Sequence, residues 1–137
     1  DFKLKNDRHV LLSDYAHHPK EILQSAKSLK EIYPNRKITV IFQPHLYSRT
    51  NDFYRDFAEA LSHFDEVVLT EIYPAGVTSA LIYDNLSSNV EKQMIKKDDV
   101  LEFAKGRDFD VLVVLGAGNL DNYVGQLTEI IKEKEQR

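Results

Sequence analysis

The chain has 137 residues, 42% of them hydrophobic and 29% charged, and a formal net charge of −4. These values are typical of one globular domain with a single core, and charges interspersed without a basic stripe argue against a nucleic-acid partner. The chain contains no cysteine, which excludes disulfides and zinc–thiolate sites and is compatible with a reducing cytoplasm, and no apolar run approaches the ~20 residues of a membrane span.

The N-terminal half predicts two strands, a helix, a buried strand and a second helix. A short apolar–polar alternation followed by an apolar run indicates an edge hairpin, and a proline suited to a first helical position then opens an amphipathic pattern. A β-branched run is typical of a strand covered on both faces. In chain order, these elements are strands over Phe2–Lys5 and His9–Ser13, a helix over 19–33, a strand over Ile38–Phe42, and a helix carrying Phe53, Phe57, Ala60 and Phe64.

The C-terminal half continues the same alternation. Strand and helix patterns that alternate along a chain predict an α/β fold, with a mostly parallel sheet, helices on both faces and the hairpin at its N-terminal edge. The predicted elements are a strand over Val67–Thr70, a short helix carrying Leu81, Tyr83 and Leu86, a short strand at Met94–Ile95, a short helix over Val100–Lys105, a strand over Val111–Leu115, and a helix carrying Leu120, Tyr123, Val124, Leu127 and Ile131.

Polar residues cluster in the segments between the first predicted strands and the helices that follow them. Asp14 follows a strand, where a carboxylate can accept hydrogen bonds from two ribose hydroxyls, as in nucleotide-binding α/β folds. A capping or turn role is the alternative. His17 and His18 are adjacent and so point apart at a helix entry, with no metal-ligand spacing beyond them. A polar contact to substrate, or packing and capping, is therefore favoured over a metal site.

Arg49 and a glycine pair provide two further candidates. Arg49 follows a buried strand and precedes a helix, where it can clamp a carboxylate or phosphate; pairing with Asp52 or Asp56 at the surface is the alternative. The segment Leu115–Asn119 reads L-G-A-G-N, which permits close backbone approach to a ligand and equally fits a tight turn. No G-x-x-x-x-G-K-[ST] loop occurs, so the chain has no P-loop of its own.

Four motifs follow one another along the chain, and the first two are the most specific. They are S-D-Y-A-H-H-P-K-E over Ser13–Glu21, F-Q-P-H-L-Y-S-R-T over Phe42–Thr50, E-I-Y-P-A-G over Glu71–Gly76, and L-G-A-G-N over Leu115–Asn119. Together they resemble the C-terminal domain of the Mur ligase family, and in particular its member that adds L-alanine to a UDP-sugar. Their order and spacing hold along essentially the whole chain. The resemblance implies a Rossmann-like sheet.

The resemblance also implies a three-domain, ATP-dependent enzyme of the bacterial cytoplasm. Its N-terminal domain holds UDP-N-acetylmuramate, its central domain carries the ATP P-loop and most Mg²⁺ ligands, and its C-terminal domain closes over ATP and brings in L-alanine. ATP phosphorylates the muramate carboxylate, and the alanine amine attacks the acyl phosphate, in peptidoglycan precursor synthesis. Because the chain does not open with methionine and has no P-loop, we expect residues 1–137 to be an excised third domain that is inactive alone.

Roles transfer by motif to four residues. Asp14 would bind the ATP ribose, Tyr15 and His17 would lie near the amino acid and the reacting carboxylate, and Arg49 would bind the alanine carboxylate or the developing charge. His17 and Arg49 are thus the catalytic candidates. The resemblance assigns no metal ligand to this chain. His18 and His45 would support the loops.

The chain departs from the family pattern at several positions. Ser13 stands where many members have Asp, Ala16 where Gly is common, and Leu46 where many have a second arginine, which leaves Arg49 as the only arginine of its loop. Gly76 follows Ala75 directly where the family has a longer loop. Two alternatives stay open: a murein-peptide-recycling ligase of the same family, whose second motif differs, and a non-catalytic Rossmann-like binding module.

Overall fold

A computed structural model describes residues 2–5, 9–14, 18–43, 54–71, 77–107, 109–116 and 121–135. Within these ranges, one six-stranded sheet carries helices on both faces. The strands are β1 Phe2–Lys5, β2 Val10–Asp14, β3 Ile38–Gln43, β4 Glu66–Glu71, β5 Glu91–Lys96 and β6 Val111–Gly116. The helices are α1 Pro19–Ile32, α2 Tyr54–Leu61, α3 Val77–Asn85, α4 Val100–Lys105 and α5 Asp121–Glu135, with a 3₁₀ turn at Lys97–Asp99.

The sheet order is β1-β2-β6-β3-β4-β5. β1 pairs antiparallel with β2, and every other neighbouring pair is parallel. The predicted edge hairpin and mostly parallel sheet are therefore confirmed. β6, the last strand in the chain, lies in the middle of the sheet between β2 and β3, and its residues 111–115 are all buried.

Successive strand residues alternate between two apolar cores. The first face is covered by α1, α2 and α3, where Phe57 stacks on Phe42 with ring centroids 5.6 Å apart. The second face is covered by α4 and α5, where Leu127 belongs to the same core as Ile41 and Val114. Because each fully buried aliphatic or aromatic side chain stabilises the fold by about 1.5–3 kcal/mol, the two cores together stabilise the sheet.

Two elements differ from the sequence prediction by more than one residue at an end. β5 has six residues instead of two; as an edge strand it mixes exposed and half-buried residues, so its apolar signal is limited to Met94 and Ile95. Helix α2 ends at Leu61, so Phe64, predicted in its apolar stripe, lies beyond the helix, although it is buried. After the helix, the Oγ of Ser62 donates to the Ala58 carbonyl at 2.6 Å. Asp65 exchanges hydrogen bonds with Ile38 of the neighbouring strand, and these bonds turn the chain into β4.

Candidate functional site

The carboxyl ends of three neighbouring strands meet at one level of the sheet. Asp14, the last residue of β2, pairs with Leu115 of β6, and Gln43, the last residue of β3, pairs with Gly116. Asp14 and Gln43 thus flank β6 about 10 Å apart, at two inter-strand spacings of ~4.8 Å. The motif segments that follow these strands therefore all leave from the same edge.

This edge also contains the topological switch points of the fold. The helices that follow β2 and β3 pack on the first face, whereas the helix that follows β6 packs on the second. Connections that diverge to opposite faces open a crevice outside the carboxyl ends of the strands, and this crevice is where open α/β sheets bind ligands. Here β6 has such a divergence on both sides.

The structure places one predicted site residue by its backbone, and the others lie outside the described residues. Asp14 ends β2 beside the crevice, as predicted from the sequence. Tyr15, His17, Arg49 and His45 lie outside the described ranges, as do Leu46, the Ala75–Gly76 step and residues 117–120. Their roles therefore remain predictions.

His18 caps helix α1. Its backbone is extended, with φ −121° and ψ 141°, and its Nδ1 accepts a hydrogen bond from the backbone N–H of Lys20 at 3.3 Å, while Pro19 occupies the first helical position. A capping acceptor satisfies one of the free N–H groups that every helix start leaves. His18 therefore has the capping role that the sequence analysis gave as one of its alternatives.

A groove of about 340 Å³ lies between α1 and α2 on the first face, next to the carboxyl edge. Basic and acidic groups line opposite sides of the groove: Lys20 and His18 lie on the α1 side, and the carboxylates of Asp56 and Glu59 lie on the α2 side. The lining residues are His18, Pro19, Lys20, Leu23, Asp56, Glu59 and Ala60. The charged members are exposed, so the groove is an open surface feature and not an enclosed pocket.

Gln43 is a buried polar residue at the crevice for which the sequence predicted no role. It is 6% exposed, and its side-chain oxygen has no hydrogen-bond partner among the described residues. The only sequence signal was a polar residue ending an otherwise apolar strand. Buried polar atoms are nearly always hydrogen-bonded, so an unpaired one beside a ligand crevice requires an explanation.

The best-connected charges lie at the opposite, amino edge of the sheet. The carboxylate of Glu66, which is 1% exposed, accepts two hydrogen bonds from the guanidinium of Arg107, at 2.7 and 2.8 Å. Thr39 donates to the same carboxylate at 3.1 Å, and the ammonium of Lys37 lies 3.9 Å away. Arg107 also lies over the rings of Phe103 and Phe109, 5.2 Å from each centroid.

These contacts set the ionisation of the pair. Burial raises the pKa of the Glu66 carboxyl, but the hydrogen bonds and charge of Arg107, the charge of Lys37 and the Thr39 bond outweigh it, so the pKa lies below its ordinary value. The hydrogen bond to Glu66 raises the pKa of Arg107, despite burial. The pair ties β4 to the segment that precedes β6 and lies far from the crevice, so it is a structural feature.

Metal-ligand chemistry is sparse in the described part of the chain. Among those residues, no group of three or more His, Asp or Glu side chains is arranged to hold a metal ion. The same residues include no helix long and apolar enough to span a bilayer.

Comparison with known proteins gives one consistent family. The family model described as "Mur ligase, glutamate ligase domain" matches residues 2–118. The chain is 54% identical over 140 residues to the UDP-N-acetylmuramate–L-alanine ligase of Phocaeicola vulgatus, covering 98% of this chain and 31% of that protein. It is 47% identical over 137 residues to the enzyme of the same name from Parabacteroides distasonis, covering 96% and 29%. The chain therefore spans about a third of the length of these curated relatives.

Solved structures agree with this assignment. The UDP-N-acetylmuramate–alanine ligase of Thermotoga maritima superposes with a TM-score of 0.71 at 31% identity, covering 98% of this chain and 29% of that one. A murein peptide ligase from Psychrobacter arcticus superposes at 0.74 with 17% identity, covering 93% and 29%, and shows the fold alone. A domain of a Haemophilus ducreyi ligase shows the same fold, with a TM-score of 0.70 and 14% identity. The match covers 97% of this chain and 97% of that domain.

Proposed function

The chain belongs to the Mur ligase family, and we propose that it is the C-terminal domain of a three-domain, ATP-dependent bacterial ligase that joins L-alanine to UDP-N-acetylmuramate in the cytoplasm. The observation that carries this proposal is the 54% identity to an enzyme of that name along 98% of the chain. The position of Asp14 supports it, because this motif residue is the last of β2 and lies at the carboxyl edge beside the crevice.

The proposed reaction has two steps. The carboxylate of UDP-N-acetylmuramate attacks the γ-phosphorus of ATP, so that an acyl phosphate forms and ADP leaves. The amine of L-alanine then attacks the acyl carbon; the new C–N bond forms as the C–O bond to phosphate breaks, and the amine proton is released. Phosphoryl and acyl transfer of this kind depend mostly on positioning and on stabilisation of developing charge.

The residues of this chain would position two substrates. Asp14 would accept hydrogen bonds from the ribose hydroxyls of ATP. Arg49 would hold the alanine carboxylate with paired hydrogen bonds, close to Tyr15 and His17. Asp14 and the strand that leads into the Arg49 loop flank β6, so the two substrates would meet over the crevice. With these roles, a nucleotide acceptor and an anion clamp would share one edge of the sheet, an arrangement that a ligase requires and a passive binding module does not.

Mg²⁺ would be held mainly outside this chain. ATP-dependent transfer needs a cation to neutralise the phosphate oxygens. By its likeness to the Mur ligases, the proposal places most of the metal ligands and the P-loop in the central domain and UDP-N-acetylmuramate in the N-terminal domain, with this domain closing over both.

The test is phosphate release by the full-length protein supplied with ATP, Mg²⁺ and UDP-N-acetylmuramate. We expect release to depend on L-alanine and to be negligible when a murein tripeptide replaces it. Release that requires the tripeptide would support the recycling ligase. No release with either acceptor, from protein that binds ATP, would support the binding module.

A further inference from the structure

Gln43 contains an unpaired buried oxygen at the crevice. The whole residue is only 6% exposed, and its side-chain oxygen is buried without a hydrogen-bond partner among the described residues. Other buried polar residues of the sheet are satisfied, since Thr39 and Glu66 bond each other. The other unpaired atom in the described ranges is the Tyr33 hydroxyl, which follows the end of α1 at the opposite edge of the sheet.

The position of Gln43 in the sheet makes the unpaired oxygen informative. Gln43 is the last residue of β3 and pairs with Gly116 of β6. Asp14 ends β2, on the other side of β6. By the alternation along a strand, Gln43 lies on the same face as Ile41, the face on which α5 packs after β6. An apolar side chain would be the cheaper choice at a merely structural position, because an unsatisfied buried carbonyl opposes folding.

A carboxamide oxygen can only accept, so it requires a donor. Resting on the function proposed above, the ligands at this edge bring two sets of donors nearby: the ribose hydroxyls, already assigned to Asp14, and the amino group of L-alanine. Arg49, assigned to the alanine carboxylate, lies six residues beyond Gln43 in the segment that follows the same strand. The amino and carboxylate groups of an amino acid share one carbon, so both must be held close together.

We propose that the side-chain oxygen of Gln43 accepts a hydrogen bond from the amino group of the incoming L-alanine and orients it for attack. A neutral acceptor suits this task, because the nucleophile must be the uncharged amine. A carboxylate at the same place would stabilise the ammonium form and raise its pKa, which would withdraw the lone pair from reaction. Glutamine directs the amine without favouring its protonation.

The test uses the full-length enzyme and two substitutions of Gln43. Gln43→Met keeps the length of the side chain and removes the acceptor, so the KM for L-alanine should rise about three- to tenfold while the KM for ATP stays unchanged. Gln43→Glu keeps an acceptor and adds charge, so the acid limb of the kcat profile should move to higher pH. Thr39→Val is the matched control, since Thr39 is buried on the same strand and face but at the amino edge.

The outcomes separate this inference from the proposed function. No alanine-dependent phosphate release by the wild-type enzyme would overturn both. An active wild type whose alanine KM is unchanged in Gln43→Met, or rises no more than in Thr39→Val, would overturn this inference alone. If Gln43→Met fails to fold, the KM values of Gln43→Glu decide: a change in the alanine KM that the ATP KM does not share supports the inference, and an unchanged alanine KM overturns it.

Discussion

Removing one partner of the Glu66–Arg107 pair should destabilise the domain strongly. We expect Arg107→Met to be the informative change, because methionine retains the packing between Phe103 and Phe109 and removes only the guanidinium. Glu66 is 1% exposed and would keep only the Thr39 bond, a 3.5 Å bond from Gln93 and Lys37 at 3.9 Å. An uncompensated buried charge costs about 3–5 kcal/mol.

The magnitude converts into a melting temperature. Arg107 is partly exposed and Lys37 remains, so we take the lower end, about 3 kcal/mol. At about 2.1 cal/mol/K per residue, a chain of 137 residues unfolds with an entropy of about 0.29 kcal/mol/K, and the Tm should fall by about 10 °C. Lys105→Met is the matched control, because it breaks an exposed pair with Glu102 at 3.4 Å that contributes at most about 1 kcal/mol.

The assay is thermal unfolding of the 137-residue chain followed by circular dichroism between pH 7 and pH 4. The lowered pKa of Glu66 means that its stabilising contribution is present above the unfolded carboxyl's pKa and is lost as pH falls through the folded one. In Arg107→Met burial dominates and Glu66 binds a proton at higher pH, so the Tm gap to wild type should narrow on acidification. A gap no larger than that of Lys105→Met, or one independent of pH, would refute the reasoning.

Two further predictions concern the crevice of the full-length enzyme. Asp14→Ala should raise the KM for ATP roughly ten- to hundredfold, because charge-assisted hydrogen bonds of about 1.5–3 kcal/mol are lost. Steady-state kinetics with ATP varied measures this. An unchanged KM for ATP with a large loss of Tm would instead indicate a capping role. Arg49→Lys should impair the use of L-alanine far more than ATP binding, at a cost of about 2–4 kcal/mol in kcat/KM, because lysine cannot pair with both carboxylate oxygens. An intact alanine dependence would make Arg49 a surface partner of Asp52 or Asp56.

The sequence predicted the fold well where local pattern decides it. The runs over Ile38–Phe42 and Val111–Leu115 are apolar and β-branched, which is how doubly covered strands look, and both are central strands. Asp14 was predicted just past a strand and is the last residue of β2. The order β2-β6-β3 was out of reach, because strand insertion depends on crossover connections and not on any local signal.

The features that the sequence missed depend on long-range contacts. Glu66 and Arg107 are 41 residues apart and read as ordinary surface charges, yet burial and the parallel sheet bring them together. Gln43 reads as one polar letter of a motif, and only its burial without a partner among the described residues reveals it. β5 was predicted too short because an edge strand needs few apolar residues.

The most direct test of the account compares phosphate release by the full-length protein and by the 137-residue chain, each with ATP, Mg²⁺ and UDP-N-acetylmuramate, with and without L-alanine. The account predicts alanine-dependent release by the full-length protein and none above a no-enzyme blank by the chain alone, although the chain unfolds cooperatively. Turnover by the isolated chain, or full-length protein that releases no phosphate in response to L-alanine, would contradict it.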